Sequence, residues 1–154
     1  KAPTLRAGGS STRPFILVKV ILMKKDSPSA AILHKCRELI LLANVQLNHF
    51  PRHEKYGLCQ EIRQVKYAVF GLIVECQKRY HNKTSITKLD VRHEQLRALL
   101  NLAYELGYYE YEHHKRERTP AETLRRYTAI SVLINELGAM IGGWIRHLNA
   151  PAEK

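Results

Sequence analysis

Four stretches of this chain repeat apolar residues at intervals of three and four positions, and this period constrains the fold more than any other feature of the sequence. Residues at such intervals lie on one face of an α-helix. The first stretch, from Ser27 to Phe50, carries Ile32, Leu33, Cys36, Leu39, Ile40, Ala43, Leu47 and Phe50. The second, from about Glu54 to Tyr80, carries Leu58, Ile62, Val65, Val69, Leu72, Ile73 and Cys76.

The second half of the chain shows the same period. The third stretch carries Leu89, Leu96, Leu99, Leu100, Ala103 and Leu106. The fourth carries Tyr127, Ile130, Ile134, Leu137, Ile141, Trp144, Ile145 and Leu148. Four amphipathic helices joined by short connections predict an all-α, antiparallel four-helix bundle, which we place at residues 27–149. No strand pattern is apparent after Met23, and no solenoid repeat appears.

Helix starts and stops are marked by local signals. Ser27-Pro28 is typical of an N-cap followed by proline at the first helical position, and Pro51 ends the first helix because the residue before proline avoids helical geometry. Ser85 or Thr87 is predicted to cap the third helix, which ends in a tyrosine-rich, charged stretch from Tyr108 to Arg118. The strongest start signal is Thr119-Pro120-Ala121-Glu122, a predicted capping box, and Asn149-Ala150-Pro151 closes the fourth helix.

Residues 1–26 are expected to be a flexible basic leader, and residues 150–154 a C-terminal tail. The leader contains a Gly/Ser-rich run and no acid before Asp26. Translation is expected to start at Met23, so that residues 1–22 would be dispensable for the bundle. The apolar segment Phe15–Leu22 is too short to span a membrane and is interrupted by Lys19, and we expect no membrane partner.

The net charge of +11 favours a polyanionic partner, although a basic surface can also serve solubility alone. Residues 1–22 hold four of the 25 lysines and arginines and none of the 14 acids, so +7 remains without them. Phosphate contacts need cationic donors without fixed spacing. The candidate nucleic-acid-binding residues, spread over the helices, are Arg63, Lys66, Lys78, Arg79, Lys83, Arg92, Arg97, Arg125, Arg126 and Arg146.

Histidines and cysteines suggest neither a metal site nor a catalytic site. His49 and His53 lie on either side of Pro51, and the adjacent His113 and His114 point to different sides. Glu110 and His113 offer a single Glu-x-x-His spacing, whereas a di-iron bundle needs two. No nucleophile or phosphate-loop motif is present. We therefore expect no catalytic residues, no metal and no cofactor. Three cysteines on apolar stripes favour reduced thiols in the cytoplasm.

Gly138, Gly142 and Gly143 interrupt an otherwise large-residue helix beside Trp144. Each interior glycine lowers helix stability by about 0.5–1 kcal/mol relative to alanine. Close approach of another helix would offset this loss, since a missing Cβ exposes the main chain. Two explanations stay open, namely packing within the bundle and an oligomer contact through Gly142, Gly143 and Trp144.

Three segments carry a resemblance to a known family. They are Phe50–Arg63 at the turn into the second helix, Leu89-Asp90 with Leu96–Leu100 in the third, and Asn135–Arg146 in the fourth. Over roughly Ser27 to Leu148 the chain resembles the accessory variability determinant (Avd) proteins of diversity-generating retroelements. These proteins are similar to four-helix bundles encoded in intervening sequences of the large ribosomal RNA. Ala139 stands where many relatives are expected to carry a basic residue.

The resemblance implies properties beyond those that periodicity shows. Avd-like proteins form homopentameric rings and bind the retroelement reverse transcriptase together with template-repeat-derived RNA. The polymerase performs the chemistry in mutagenic retrohoming, and the accessory protein performs none. The alternative is an intervening-sequence-type bundle of unassigned role, and a metalloenzyme bundle is a third, weaker hypothesis. Neighbouring genes, either a reverse transcriptase with a template repeat or a ribosomal RNA locus, would separate the first two.

Overall fold

The computed structural model describes residues 28–151. Four helices dominate it: α1 (Pro28–Leu47), α2 (Leu58–Lys78), α3 (Lys83–Glu105) and α4 (Pro120–Asn149). Helix α1 packs against α2 and α4, and α3 packs against α2 and α4, which closes the bundle. Gln77, near the end of α2, donates a hydrogen bond to the Ser29 carbonyl at the start of α1, so these helices run antiparallel. The all-α bundle predicted from the apolar periods is confirmed.

The predicted apolar faces form the core. Buried members of the four stripes are Ile32, Cys36, Leu39, Ala43, Leu47, Phe50, Ile62, Val65, Val69, Ile73, Cys76, Leu89, Leu96, Leu100, Ala103, Ile130, Ile134, Leu137 and Ile141. Leu106 does not belong to this set, because it follows the end of α3 and is 45% exposed. Cys36, Cys59 and Cys76 are free thiols, and burial raises the pKa of Cys76 to about 11.

Several predicted helix boundaries were wrong. Helix α1 stops at Leu47, before Phe50, and α2 starts at Leu58 because a short 3₁₀ helix, Arg52–Glu54, occupies the turn. The Glu54 carboxylate accepts a hydrogen bond from the Leu58 N–H at 2.9 Å and so satisfies a donor in the first turn of α2.

The predicted caps of the third helix were also wrong. Asn82 precedes α3 without a side-chain cap. Ser85 is buried inside the helix and donates to the Glu75 carboxylate at 2.7 Å, while Thr87 donates to the Lys83 carbonyl. Both hydroxyls are therefore used for contacts other than a helix cap.

The capping box at the start of α4 is confirmed. The Glu122 N–H donates to Thr119 Oγ1 at 3.3 Å, and the Thr119 N–H donates to the Glu122 carboxylate at 2.9 Å. These hydrogen bonds to Thr119 lower the pKa of the Glu122 carboxyl. The helix ends at Asn149, before Ala150 and Pro151, as the sequence predicted.

A small hairpin was missed by the sequence analysis. After a 3₁₀ turn at Tyr108–Glu110, strand β1 (Tyr111–Glu112) pairs antiparallel with β2 (Lys115–Arg116). Strands of two residues are too short to show an alternating pattern. The Glu-x-x-His spacing ending at His113 therefore lies in a hairpin and shares no helical face. The predictions for residues 1–26, for Ser27 as a cap and for residues 152–154 lie outside the described residues.

Lys66 lies in the core, although the sequence analysis placed it among the phosphate-binding residues. Its side chain is fully buried, its ammonium donates to Asn44 Oδ1, and it lies 4.6 Å from the centroid of the Tyr67 ring. Burial lowers the pKa of Lys66. As placed, this lysine does not reach a ligand at the surface, and that part of the prediction was wrong.

We expect Lys66→Met to stabilise the protein. Methionine is unbranched and only slightly shorter than lysine, and it removes a charge that is desolvated without a carboxylate. The free energy of unfolding should therefore rise by about 1 kcal/mol or more. Because burial lowers the pKa of Lys66, the unfolded chain binds more protons between the folded-state pKa of this residue and about pH 10.4, and Lys66 makes wild-type stability rise with pH across that window.

Thermal melts between pH 7 and 10 test this expectation. The variant should melt at a higher temperature than the wild type at pH 7, and the difference should narrow as the pH rises. The matched control is Lys88→Met, at an exposed position on α3, which should change little. A lower melting temperature for Lys66→Met would show that the bond to Asn44 outweighs the desolvation of the charge.

Candidate nucleic-acid interface

The turn between α1 and α2 is held by an aromatic cluster beneath it. Phe50 and Tyr109 are both buried, and their rings meet edge to face with centroids 5.1 Å apart. The Tyr108 hydroxyl donates to the Glu54 carboxylate at 2.6 Å, which lowers the pKa of Glu54 and raises that of Tyr108 to about 12. The turn is therefore fixed to the segment that follows α3.

The hairpin tip covers the end of α1. His113 and His114 form a two-residue turn with φ of 47° and 70°, a left-handed conformation that is unfavourable for residues with a Cβ. The His114 N–H donates to the His49 carbonyl at 3.1 Å, and His114 Nδ1 lies 2.7 Å from the Phe50 carbonyl. These bonds satisfy carbonyls that follow the last turn of α1 and offset the strain of the hairpin.

The α1–α2 turn and the hairpin tip together form a recess with two lobes, which we call the basic cleft. Lobe one, of about 530 Å³, is lined by Leu47, Asn48, Phe50, Pro51, Arg52, Lys55, Cys59, Arg63 and His114. Lobe two, of about 560 Å³, is lined by Pro51, Arg52, His53, Tyr111, His113, His114 and Lys115. Pro51, Arg52 and His114 belong to both lobes, so the two recesses adjoin each other.

The cleft is uniformly cationic. It is lined by four cationic side chains, those of Arg52, Lys55, Arg63 and Lys115, and no carboxylate lines either lobe. Within residues 28–151, none of these four side chains forms an ion pair. Nearby acids bind elsewhere. Glu110 pairs with Arg116 at 2.8 Å, and Glu112 lies 3.6 Å from Arg118 and 3.8 Å from Arg126. The cleft can therefore attract an anion without first breaking a salt bridge.

The other predicted nucleic-acid contacts are scattered. Arg63 is the only one of the ten that lines the cleft. Four of them lie towards the opposite end of the bundle, where α2 and α4 end and α3 begins, namely Lys78, Arg79, Lys83 and Arg146. Arg92 and Arg97 are bonded to neighbours on α3, Arg126 to Glu112, and Arg125 is exposed near the start of α4. The structure does not bring these residues into one site.

Arg52, Lys55, Lys115 and His114 were not among the predicted contacts. Arg52 and Lys55 do fall in the Phe50–Arg63 segment that carried the resemblance, and this was the available signal. Lys115 and His114 gave no signal, since they reach the cleft only through the fold, more than 50 residues further along the chain.

Three possible metal ligands converge beside the cleft. A nitrogen of His49, a nitrogen of His113 and a carboxylate oxygen of Glu112 lie within 4.8 Å of one another. The His113 N–H already donates to His49 Nδ1 at 3.1 Å, and Glu112 lies close to two arginines. Burial is the largest cause that lowers the pKa of His49, and the positive charges of Arg118 and Arg126 lower it further. The same positive charges oppose a cation, and we assign no metal to this cluster.

Helix α4 presents a partly uncovered apolar surface. It is the one helix among residues 28–151 that is long and apolar enough to cross a membrane by length and composition, and 22% of its most apolar window is buried in the bundle. A groove of about 570 Å³ runs between α4 and α1, lined by Pro28, Ser29, Ala31, Ile32, Met140, Gly143, Trp144 and His147. This surface has room for a further protein segment.

The glycines of α4 have different environments. A Cβ on Gly138 would lie 2.6 Å from Cε1 of the buried His93, whose ring bonds the Ile134 carbonyl, so Gly138 serves packing within the bundle. A Cβ on Gly142 or Gly143 would meet only the flexible Arg146 side chain, at 3.6 and 3.7 Å. Packing within the bundle therefore explains the glycine at position 138. The structure gives no such packing reason for Gly142 and Gly143.

The fold and the cleft define a class, a small basic four-helix-bundle protein with a cationic recess at one end. A model of the bAvd-like family matches residues 30–148. The chain belongs to this family, and the resemblance seen in the sequence is confirmed. Comparison with curated proteins and with solved structures gives no match. The family places the protein in an accessory role, in association with the components of a retroelement.

Proposed function

We propose that this protein is a non-enzymatic adaptor that binds RNA and a reverse transcriptase in retroelement-driven sequence diversification. The observation that carries the proposal is the basic cleft, in which four unpaired cations surround an apolar floor in a chain of the bAvd-like family. Such a recess suits the phosphate backbone of a nucleic acid. The polymerase supplies the chemistry, and the adaptor needs no catalytic residue or cofactor for this role.

Assembly is the second part of the proposal. A homo-oligomer, a pentamer by family resemblance, would cover the groove beside Gly143 and Trp144 and present one basic cleft per subunit. Several clefts acting on one RNA would raise its affinity through multivalency. A protein contact that buries the surface of α4 is our proposed alternative to its burial in a membrane. The three free cysteines are consistent with the reducing cytoplasm.

Salt dependence of RNA binding tests the proposed function. For purified protein and a retroelement template RNA, the logarithm of the association constant should fall linearly with the logarithm of salt concentration, with a slope of several units. Co-purification with a retroelement reverse transcriptase expressed together with this protein tests the second partner. RNA affinity that is unchanged between low and physiological salt, or the absence of binding at low salt, would contradict the proposal.

A further inference from the structure

We propose that the basic cleft selects single-stranded RNA over duplex RNA and holds an unpaired base against Tyr111. This inference rests on the proposed function, because it specifies which form of RNA the same site accepts. Its basis is the lining of the site. Charge alone would suit any polyanion, whereas these cations line an open recess that also has apolar and aromatic surface.

The recessed shape of the cleft is the feature that should distinguish the two forms of RNA. Each lobe, of about 530 and 560 Å³, lies within the ~300–1,000 Å³ range in which proteins enclose small ligands. A duplex keeps its bases paired and stacked inside, and offers proteins mainly its phosphates and 2′-hydroxyls. It could meet the cations at the rim but could not fill the recess. An unpaired nucleotide can turn its base inwards.

The lining of the cleft matches the two parts of a nucleotide. Pro51 and the neutral thiol of Cys59, whose pKa is raised by burial, contribute apolar surface to lobe one. Tyr111 contributes an aromatic ring to lobe two, where Lys115 supplies a cation. Aromatic rings combined with cations along a groove are the usual means of binding single strands without sequence preference.

Neighbouring residues hold Tyr111 in place, and Arg52 is a second group that can distinguish an unpaired base from a duplex. The Tyr111 ring is packed edge to face with Tyr108, with centroids 6.4 Å apart, and its residue pairs with Arg116 across the hairpin. Arg52 belongs to both lobes, and its planar guanidinium can stack on a base as well as bind a phosphate, which a lysine ammonium does not reproduce.

The experiment measures the affinity of the full-length protein for a single-stranded RNA of mixed sequence without self-pairing and for the same sequence as a blunt duplex, at equal salt. The wild type should bind the single strand about tenfold tighter or more. Tyr111→Ala should weaken single-strand binding about tenfold and leave duplex binding unchanged, whereas Tyr111→Phe should retain the preference. Tyr80→Ala, at a tyrosine that is 94% exposed near the opposite end of the bundle, is the matched control.

Arg52→Lys gives a second readout that does not depend on the hairpin. It keeps the charge at an exposed position, so duplex binding should persist while the preference for the single strand falls. Equal affinity of the wild type for the two RNAs, or equal losses on both in Tyr111→Ala, would overturn the inference and leave the proposed RNA-binding function intact. Binding of neither RNA at low salt would overturn both.

Discussion

Reversing two charges of the basic cleft, in an Arg52→Glu and Arg63→Glu double variant, should lower RNA affinity roughly hundredfold at low salt. Both residues line lobe one, and no acid lines the cleft to attenuate their field. Each substitution removes a phosphate donor and adds a repulsive charge. The salt slope should also fall by about one unit for each phosphate contact that is lost.

The matched control is a double variant with the same change in net charge, made at two positions outside the cleft. Lys78→Glu and Arg92→Glu together alter the net charge equally, and both side chains are exposed outside the cleft. This control should reduce affinity only a few-fold. Titration of labelled RNA by fluorescence anisotropy, with circular dichroism to verify helicity, measures both variants. Equal losses in the two variants would show that RNA responds to the overall charge and that the cleft has no special role.

The helices were predictable because their signals are local. Apolar residues such as Ile130, Ile134, Leu137 and Ile141 repeat with the helical period and are buried. The capping box at Thr119 involves residues only three positions apart, so its hydrogen bonds depend little on the rest of the fold. Boundaries at the α1–α2 turn were less predictable, because Glu54 and Tyr108 fix that turn through a contact across 54 residues.

Lys66 shows a signal that was present and misinterpreted. It lies four positions after Ile62 and seven before Ile73, on the apolar face of α2, and the period therefore places it inside. His93 occupies the equivalent kind of position on α3, between Leu89 and Leu96, and is buried as well. Lysine and histidine are residue types that usually lie at the protein surface. In both cases, however, the position of the residue on the apolar face of its helix determined that its side chain is buried.

The basic cleft could not be derived from spacing. Arg52 and His114 are 62 positions apart, and they meet because the hairpin tip bonds to the end of α1. Phosphate binding imposes no regular spacing on its donors, so no periodic signal marks them. The family resemblance drew attention to the Phe50–Arg63 segment without assigning Arg52 or Lys55 a role, and the structure was needed to bring that segment together with the hairpin tip.

If the protein assembles as proposed, substituting Gly143 by leucine should convert the oligomer into a folded monomer. The main chain at Gly142 and Gly143 is accessible, because a Cβ there would meet only Arg146, and the adjacent groove is largely apolar. A Cβ at position 143 makes only an ordinary contact in the isolated chain, and replacing glycine by leucine should stabilise the helix by about 1 kcal/mol. In an assembly it would separate surfaces that need close backbone approach. Light scattering should therefore show a loss of oligomeric mass while circular dichroism shows unchanged helicity.

RNA affinity should fall when the Gly143→Leu variant loses its oligomeric mass. A monomer retains one basic cleft, so the advantage of multivalency, which can reach about 10²–10⁴ in affinity, should disappear while single-site binding persists. Gly138→Ala is the contrasting variant, because its Cβ would lie 2.6 Å from His93 Cε1 and should lower the melting temperature without changing the oligomeric mass. If Gly143→Leu melted lower and kept its mass, the glycines would serve the bundle after all. A wild-type protein that is monomeric at micromolar concentration would contradict the assembly proposal directly, since the uncovered surface of α4 would then have no copy of the chain to bury it.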